Sequence, residues 1–515
     1  MVEPILASGN TWWAPTNSAV TRASITEIEI KDSYTPDASV TVTDSWDASA
    51  AKDGSVMCYV IGAKLIIAGN GSGKVYLNKA SNSTFGSTWD TNAMFVNLTD
   101  FRTNYVLDAS KCTSMIGIFG GMKVLTSLDL KHLNVSNVTR FSSAFQLCYE
   151  LQNIDVSDWD VSNSTTMEAM FSMCKKLQTI NISKWRLTKC TSVQSMFYGC
   201  ISLVSLDIAD IDVSNVTNFS KMFNMADTNI DVGECMLTHV DVSNWNTASA
   251  VDMSFMFYGC SSLGEIDVSN WDVSKVTNFD HFAAHANLKR KGIENWKTTS
   301  ATNMNALFHN CAEEELDLSG WDVSKVQFFC QMFENSPNLK RIKGLEKWNT
   351  SAGLGFDGMF ERCYKLEEVD LSSFNTTKAK NGTKASTNGH TTATLQNMFL
   401  SCNNLKKVKL GSNFSINGDG TNTTAGNKLI LPTPSTDYIT GADGNWYAFN
   451  GDPYAPNAIQ DKTAETYFAS FPLCQNEDVI VKNGSLIDVA KAIKEKNGAT
   501  AKYTPAQFGA AIRAL

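Results

Sequence analysis

The chain has 515 residues, 43% of them hydrophobic and 18% charged, with a formal net charge of −9. That is the balance of a folded, soluble chain, and the negative charge argues against nucleic acid or an anionic membrane surface as a partner. No apolar run approaches the roughly 18 residues of a transmembrane helix, so no membrane insertion is expected.

The N-terminal MVEPILASGNTWWAP lacks the basic stretch and sustained apolar core of a secretory signal. Residues 1–98 show no repeat. Ile25–Ile30, Val40–Trp46 and Ser55–Gly69 alternate or run apolar as strands do, which predicts a small β-rich attachment or cap domain. Trp12 and Trp13 precede its first strand and are candidates to anchor it to a partner. Ile66–Val75 (IIAGNGSGKV) imitates a phosphate-binding loop, but Ala68 replaces the first glycine and Val75 the hydroxyl that would hold Mg²⁺. The VYLNK that follows has the pattern of a strand, and a hairpin turn is predicted.

From 99 to 414 the chain repeats itself about every 26 residues. Leu151–Lys176 (LQNIDVSDWDVSNSTTMEAMFSMCKK) and Leu237–Ser262 (LTHVDVSNWNTASAVDMSFMFYGCSS) show the pattern. A period of this length marks a solenoid, in which each coil contacts only its neighbours and no single large core is needed. With the first Leu as offset 0, apolar residues at offsets 0, 3 and 5 (Leu151, Ile154, Val156) predict a strand whose offsets 4 and 6 face outward. Apolar residues at offsets 16, 19, 20 and 23 (Met167, Met170, Phe171, Cys174) have the spacing of a short helix face. The expected fold class is therefore an α/β solenoid.

Three columns recur. Offset 8 carries Trp159, Trp185, Trp245, Trp271, Trp296 and, after a register shift, Trp321, with Leu133 and Ile211 substituting. A packed corner and a carbohydrate platform both fit, the substitutions favouring the corner. Offset 23 carries Cys148, Cys174, Cys200, Cys260, Cys311, Cys363 and Cys402, replaced elsewhere by Ala226, Ala286 or Ser336. Small replacements point to a buried packing site more than to disulfides or a metal. Offset 4 carries Asp129, Asp155, Asp207, Asp241, Asp267, Asp317 and Asp370. Strands about 4.8 Å apart would set these like charges side by side, which destabilises a sheet unless hydroxyls, amides or cations offset it. The candidate ligand face is Asp155, Ser157, Asp207, Asp241, Ser243, Asp267, Ser269, Asp317 and Ser319. Either each Asp binds a neighbouring hydroxyl or turn amide, or the face grips a cation or polyol.

Departures from the repeat are the other candidates for function. Met225–Met236 and Thr377–Ala393, the latter with His390, are insertions expected to project as loops. His281 and His285 lie four apart, but no acidic partner completes a metal pair. No catalytic set, cofactor or metal site is expected. Residues 415–480 are expected to form an irregular β-rich cap, with Gly441–Ile459 as a closing β element. Residues 481–515 have the pattern of a helical hairpin around Asn497-Gly498, with Ser485 and Thr504-Pro505 as helix starts.

Ile266–Phe282 (IDVSNWDVSKVTNFDHF) and Leu316–Phe333 (LDLSGWDVSKVQFFCQMF) resemble the BspA-like leucine-rich-repeat family, also called the mycoplasma surface lipoprotein repeat. The resemblance covers roughly residues 99–414 and implies a right-handed solenoid with a surface or adhesive role. The C-terminal SLIDVAKAIKEKNGATAKYTPAQFGAAIRAL resembles helical modules of bacteriophage tail proteins. Together these imply a non-enzymatic tail protein of a virion, assembled in the host cytoplasm. Its expected partners are other tail proteins, further copies of itself and a host surface glycan or protein. A bacterial surface adhesin and a virion decoration protein without a receptor are the alternatives.

Overall fold

A computed structural model describes residues 2–226, 235–384, 391–420, 428–449 and 451–470. The chain divides into two units, Met1–Val276 with Phe282–Gly292, and Thr277–His281 with Ile293–Leu515.

The first unit opens with β1 (Glu27–Lys31), β2 (Asp44–Asp47), β3 (Met57–Ile61) and β4 (Lys64–Ala68), all overlapping segments predicted as strands. After β5 (Val75–Tyr76), β6 (Asp100–Arg102) completes a five-stranded sheet in the order β2-β3-β4-β1-β6. Its alternation does what the sequence requires: Ile28 and Ile30 pair with Leu65 and Ile67, which pair in turn with Val60 and Cys58, and all six are buried. Trp12 is buried as well, its indole donating to the Thr84 carbonyl at 2.7 Å while its own carbonyl accepts from Trp46. The buried Arg22 guanidinium lies over Trp12, Trp13 and Phe95, and burial pulls its pKa down to about 10. Trp12 and Trp46 are thus part of the cap's own core, while Trp13 is half-buried against them and Phe95.

The phosphate-loop imitation is a connection between sheets and not a hairpin, because β5 pairs with β7 (Leu107–Asp108) and not with β4. Gly71 and Gly73 take φ of 84° and 87°, and their amides donate to the Asp32 carbonyl and carboxylate. The loop's donors are thus engaged by an acid of the chain's own.

The coils of this unit contribute β8 (Ser127–Asp129), β9 (Asn153–Asp155), β10 (Ser205–Leu206), β11 (His239–Val240), β12 (Glu265–Asp267) and β13 (Lys289–Lys291). They pair in parallel as β8-β9, β10-β11 and β12-β13. On the other side of each coil a second parallel ladder runs Ser114, Arg140, Thr166, Ser192, Asn218, Asp252. Inside, Phe85, Phe119, Phe145, Phe171, Phe197, Phe223 and Phe257 stack at 5.3–5.9 Å with ring planes within 17° of parallel. Burying one such side chain is worth roughly 1.5–3 kcal/mol, and a stacked pair adds about 0.5–1.5 kcal/mol.

The second unit repeats the plan with β14 (Glu315–Asp317), β15 (Arg341–Lys343) and β16 (Glu368–Leu371). The long insertion emerges as an antiparallel ribbon of β17 (Asn381–Lys384) and β18 (Thr391–Ala393); His390 lies outside the described residues. β19 (Lys407–Leu410) pairs in parallel with β16. β20 (Trp446–Ala448), β21 (Pro453–Tyr454) and β22 (Glu465–Phe468) then join antiparallel, giving the order β16-β19-β22-β20-β21. Phe308, Phe333, Phe360 and Phe399 continue the ring stack within this unit at 5.2–5.4 Å.

The α/β expectation is wrong. Among the described residues there is no α-helix, only four short 3-10 turns. The expected C-terminal helical hairpin, and most of the insertion at Met225–Met236, fall outside the described residues. In the stretch expected to be helical, Met167, Ala169, Phe171 and Met173 donate their amides to carbonyls of the next coil, at Ser192, Gln194, Met196 and Tyr198. The amides between them close three-residue turns, such as Met170 to Met167 and Cys174 to Phe171. Ala169 and Met173 take φ of 52° and 64°, and the same alternation returns at Ser195 (55°) and Gly199 (70°). A helix would close its hydrogen bonds within one coil and leave nothing to bind the next. The apolar spacing of three and four is met equally well by this ribbon of turns.

Left-handed backbone costs a non-glycine residue roughly 1 kcal/mol, and a β-branched one more. Ser195→Gly is therefore expected to raise the denaturation midpoint, and Ser195→Val to lower stability by about 1–2 kcal/mol, both measured by urea unfolding followed by circular dichroism. A helical segment would reverse that order.

Candidate functional site

Two of the recurring columns point inward. Trp159, Trp185, Trp245 and Trp271 are at most 5% exposed. Each indole N–H donates to a carbonyl one coil back: Leu130, Val156, Ile208 and Val242, at 2.9–3.2 Å. In the second unit Trp321 donates to Ile293 in the same way. A buried Trp whose one donor is satisfied is a packing residue, and these indole faces are closed to a sugar.

Cys148, Cys174, Cys200 and Cys260 are buried and free, their thiols donating at 3.1–3.3 Å to the carbonyls of Phe119, Phe145, Phe171 and Phe223 in the preceding coil. Cys363 and Cys402 do the same to Phe333 and Phe360. Ser336 substitutes faithfully, its hydroxyl donating to Phe308 at 2.9 Å. Burial pushes the Cys148 and Cys200 thiols up to about 12. They are proton donors inside a packed wall, far from the thiolate form that reacts or binds metal. His281 pairs with Asp280 (Nδ1–Oδ1 2.6 Å), and His281 and His285 lie at φ of 54° and 58° in a ribbon of turns, not on one helix face. Among the described residues no group of three His, Cys, Asp or Glu gathers to hold a metal ion.

The outward face is the short strands. They end at offsets 3 to 5, so Ser at offset 6 does not project from the strand. It turns back to the Asp: Ser157 donates amide and hydroxyl to Asp155 Oδ1 at 3.1 and 2.7 Å, and Ser243 does so to Asp241 at 3.0 and 2.7 Å. The Ser269 and Ser319 amides reach Asp267 and Asp317 at 3.0 and 3.1 Å. These are Asx turns, and the Asp column closes the strand end. Asp207 is exposed but has Ala209 in place of the serine. The Ser157 hydrogen bonds hold the Asp155 carboxyl below its ordinary value, as the Ser243 amide and hydroxyl do for Asp241 and the Ser319 bonds for Asp317.

The row that projects beside this column is offset 2: Ser127, Asn153, Ser205, His239 and Glu265 in the first unit, Glu315, Arg341, Glu368 and Lys407 in the second. This row is not among the candidate face residues taken from the sequence. The alternation of faces was the available signal, since residues flanking a buried strand centre must both point out. The Asp column also proves discontinuous. Asn181 and Lys291 interrupt it in the first unit, Lys343 and Lys409 in the second. Asp267 lies opposite Lys291 (2.6 Å), and this ion pair, helped by Ser269, brings its pKa to about 2. Asp129 does face Asp155, and Lys131 lies 3.7 Å from Asp155 and from Asp158.

Two grooves open on these faces. In the first unit one of about 550 Å³ is lined by Ser127, Asp129, Lys131, Asn153, Asp155, Thr179 and Asn181. In the second, one of about 320 Å³ is lined by strands β15, β16 and β19. The first is walled by hydroxyls, amides and carboxylates with one cation, a donor-acceptor mix suited to polyhydroxyl ligands.

The fold and face define a repeat protein whose buried columns join coil to coil and whose variable residues crowd the strands. The chain belongs to the family described as "Mycoplasma protein of unknown function, DUF285", whose matches at residues 79–179, 113–235, 228–343 and 310–409 cover more than half of it. No curated protein matches it. Among solved structures, a leucine-rich-repeat protein of Leptospira interrogans is 12% identical over 58% of this chain and 78% of its own, with a TM-score of 0.16. TLR13 in its complex with ssRNA13 is 14% identical over 68% of this chain and 59% of its own, with a TM-score of 0.14.

Removing the β13 cation exposes the electrostatic coupling. Lys291→Gln is expected to raise the Asp267 pKa toward the ordinary carboxylate value of about 3.9, followed by carbon-13 NMR titration. Because the folded value is depressed, this pair's contribution is complete above that ordinary value and fades as pH falls toward about 2. An unmoved Asp267 would mean the ion pair does not form in solution.

Proposed function

We propose that the chain is a non-enzymatic binding protein that presents its strand face to a host cell-surface glycan or protein, carried on the tail of a phage virion. The observation that carries the binding part is the sorting of side chains. The Trp and Cys columns are buried and hydrogen-bonded from coil to coil and the Phe column is buried and stacked, while short polar and charged residues line the groove at Asp129, Asn153, Asp155 and Asn181. The resemblance of residues 485–515 to tail-protein modules supports the virion. The buried cysteines, none in a disulfide among the described residues, suit folding in a reducing cytoplasm. Membership of a family described from Mycoplasma favours a second reading, a cellular surface adhesin.

Purified chain is expected to bind host cells and to block virion adsorption. Asp129→Asn with Asp155→Asn keeps an oxygen acceptor for each turn and is expected to weaken cell binding about tenfold, equivalent to about 1.4 kcal/mol, at an unchanged melting temperature. A folded chain that binds no cells sinks the binding reading. Cell binding without any effect on adsorption moves the protein from virion to cell surface.

A further inference from the structure

The strands of the second unit do not form one continuous ladder. β14 pairs with β15 and β16 with β19, but among the described residues β15 and β16 share no ladder. The 3-10 turn Leu345–Lys347 lies between them in sequence, entered through Gly344 at φ 98°. A side chain at Gly344 would collide with the Ser319 backbone at 2.4 Å, so the turn passes close against the coil before it. Burial differs along these strands. Leu316 and Val369, the centres of β14 and β16, are 2% and 4% exposed, whereas Ile342 at the centre of β15 is only half-buried.

The groove of about 320 Å³ lies over this break. Its lining includes Ile342 and Val369, Arg341 and Lys343 from β15, Glu368 and Asp370 from β16, and Lys407 and Lys409 from β19. Charge therefore runs in rows, basic, acidic, basic, on strands spaced about 4.8 Å within each pair. The row order follows from register: Glu368 lies opposite Lys407 and Asp370 opposite Lys409. Arg341 reaches Glu367 at 3.8 Å, Lys343 reaches Glu315 at 3.8 Å, and Lys407 reaches Glu368 at 3.7 Å, all with side chains 38–59% exposed. Loose, solvated pairs of this kind hold their partners weakly and exchange them readily, while Lys409 is held more closely, 2.9 Å from Asp370. Four cations converge here in a chain whose net charge is −9.

We propose that this groove takes a carboxylate-bearing saccharide, a sugar acid of the hexuronate kind. Three features of the groove match three parts of such a ligand. Arg341 and Lys343 meet the carboxylate, the guanidinium offering a two-pronged donor. Glu368 accepts from ring hydroxyls, while Asp370 is already held by Ser372 and Lys409. The half-buried Ile342 gives the sugar's C–H face an apolar contact. A neutral sugar leaves the cations unused, and a phosphate polymer leaves the acceptors and the apolar floor unused. The first unit's groove, with Lys131 as its single cation, does not share this chemistry.

This rests on the strand face being a glycan-binding surface, and the experiment separates the two claims. Calorimetric titration of the full chain uses oligogalacturonate, the uncharged maltohexaose and inorganic polyphosphate as probes. Oligogalacturonate is expected to bind, at least tenfold tighter than either of the others, and to weaken as salt rises. Arg341→Gln with Lys343→Gln should lower that affinity at least tenfold with the melting temperature and host-cell binding through the first groove unchanged. Lys407→Gln with Lys409→Gln provides an independent second variant with the same expected loss. No oligogalacturonate binding, equal binding of polyphosphate, or affinity unmoved in both variants overturns the assignment. Loss of host-cell binding in Asp129→Asn with Asp155→Asn, observed alongside any of those results, leaves the broader reading standing. Absence of cell binding by the intact chain removes that reading.

Discussion

Each coil must satisfy the backbone of the next, and this constraint organises the rest of the chain. Buried amides and carbonyls have to be paired, and a coil of about 26 residues with strands of two to four residues cannot pair them internally. The solution is lateral. Alternate amides of the turn ribbon reach across to the following coil, as Phe145 does to Met170 and Phe171 to Met196. That geometry requires left-handed residues at Ala169, Met173 and Ser195, and it sets the Phe rings face to face. The local strain is repaid by hydrogen bonds and ring contacts that an isolated coil does not have, so one coil has no stability apart from its neighbours.

The buried columns follow from the same constraint. Carbonyls that point inward along the stack need donors, and the indole of Trp159, the thiol of Cys174 and the hydroxyl of Ser336 supply them from one coil onward. This explains why Cys and Ser exchange at one position, while Ala226 and Ala286 fill the space without donating. The outer face is free of that demand. Its like charges need only be offset: the Asp column is interrupted by Asn181 and by the lysines at 291, 343 and 409, and where Asp129 faces Asp155, Lys131 lies beside them. Freedom from packing lets the strand face vary in charge from one groove to the other.

Much of this was legible beforehand. Periodicity revealed the repeat and the inward strand positions, and the substitutes at the Trp and Cys columns favoured packing over ligand contact, because a buried site accepts only residues that fit it. The strands at Ile28–Ile30 and Cys58–Ile67 followed from alternation. The helix did not follow, since Met167, Met170, Phe171 and Cys174 have a spacing that a ribbon of turns satisfies as well. Nothing local in Ala169 or Lys221 announces φ above 50°. The role of Ser157 was also misjudged. Its alternation with Val156 suggested an outward side chain, but the strand had already ended at Asp155.

What the sequence by itself determined was the inventory and its period: which residues stack, which face is apolar, where the repeat breaks. What only the tertiary structure decided was how successive coils join. The hydrogen bonds that set the turn ribbon, the break between β15 and β16, and the registers that place Lys291 against Asp267 and Lys409 against Asp370 all involve partners 24 to 39 residues apart. Such pairings depend on how closely one coil settles on another, a quantity that no single coil of the sequence contains.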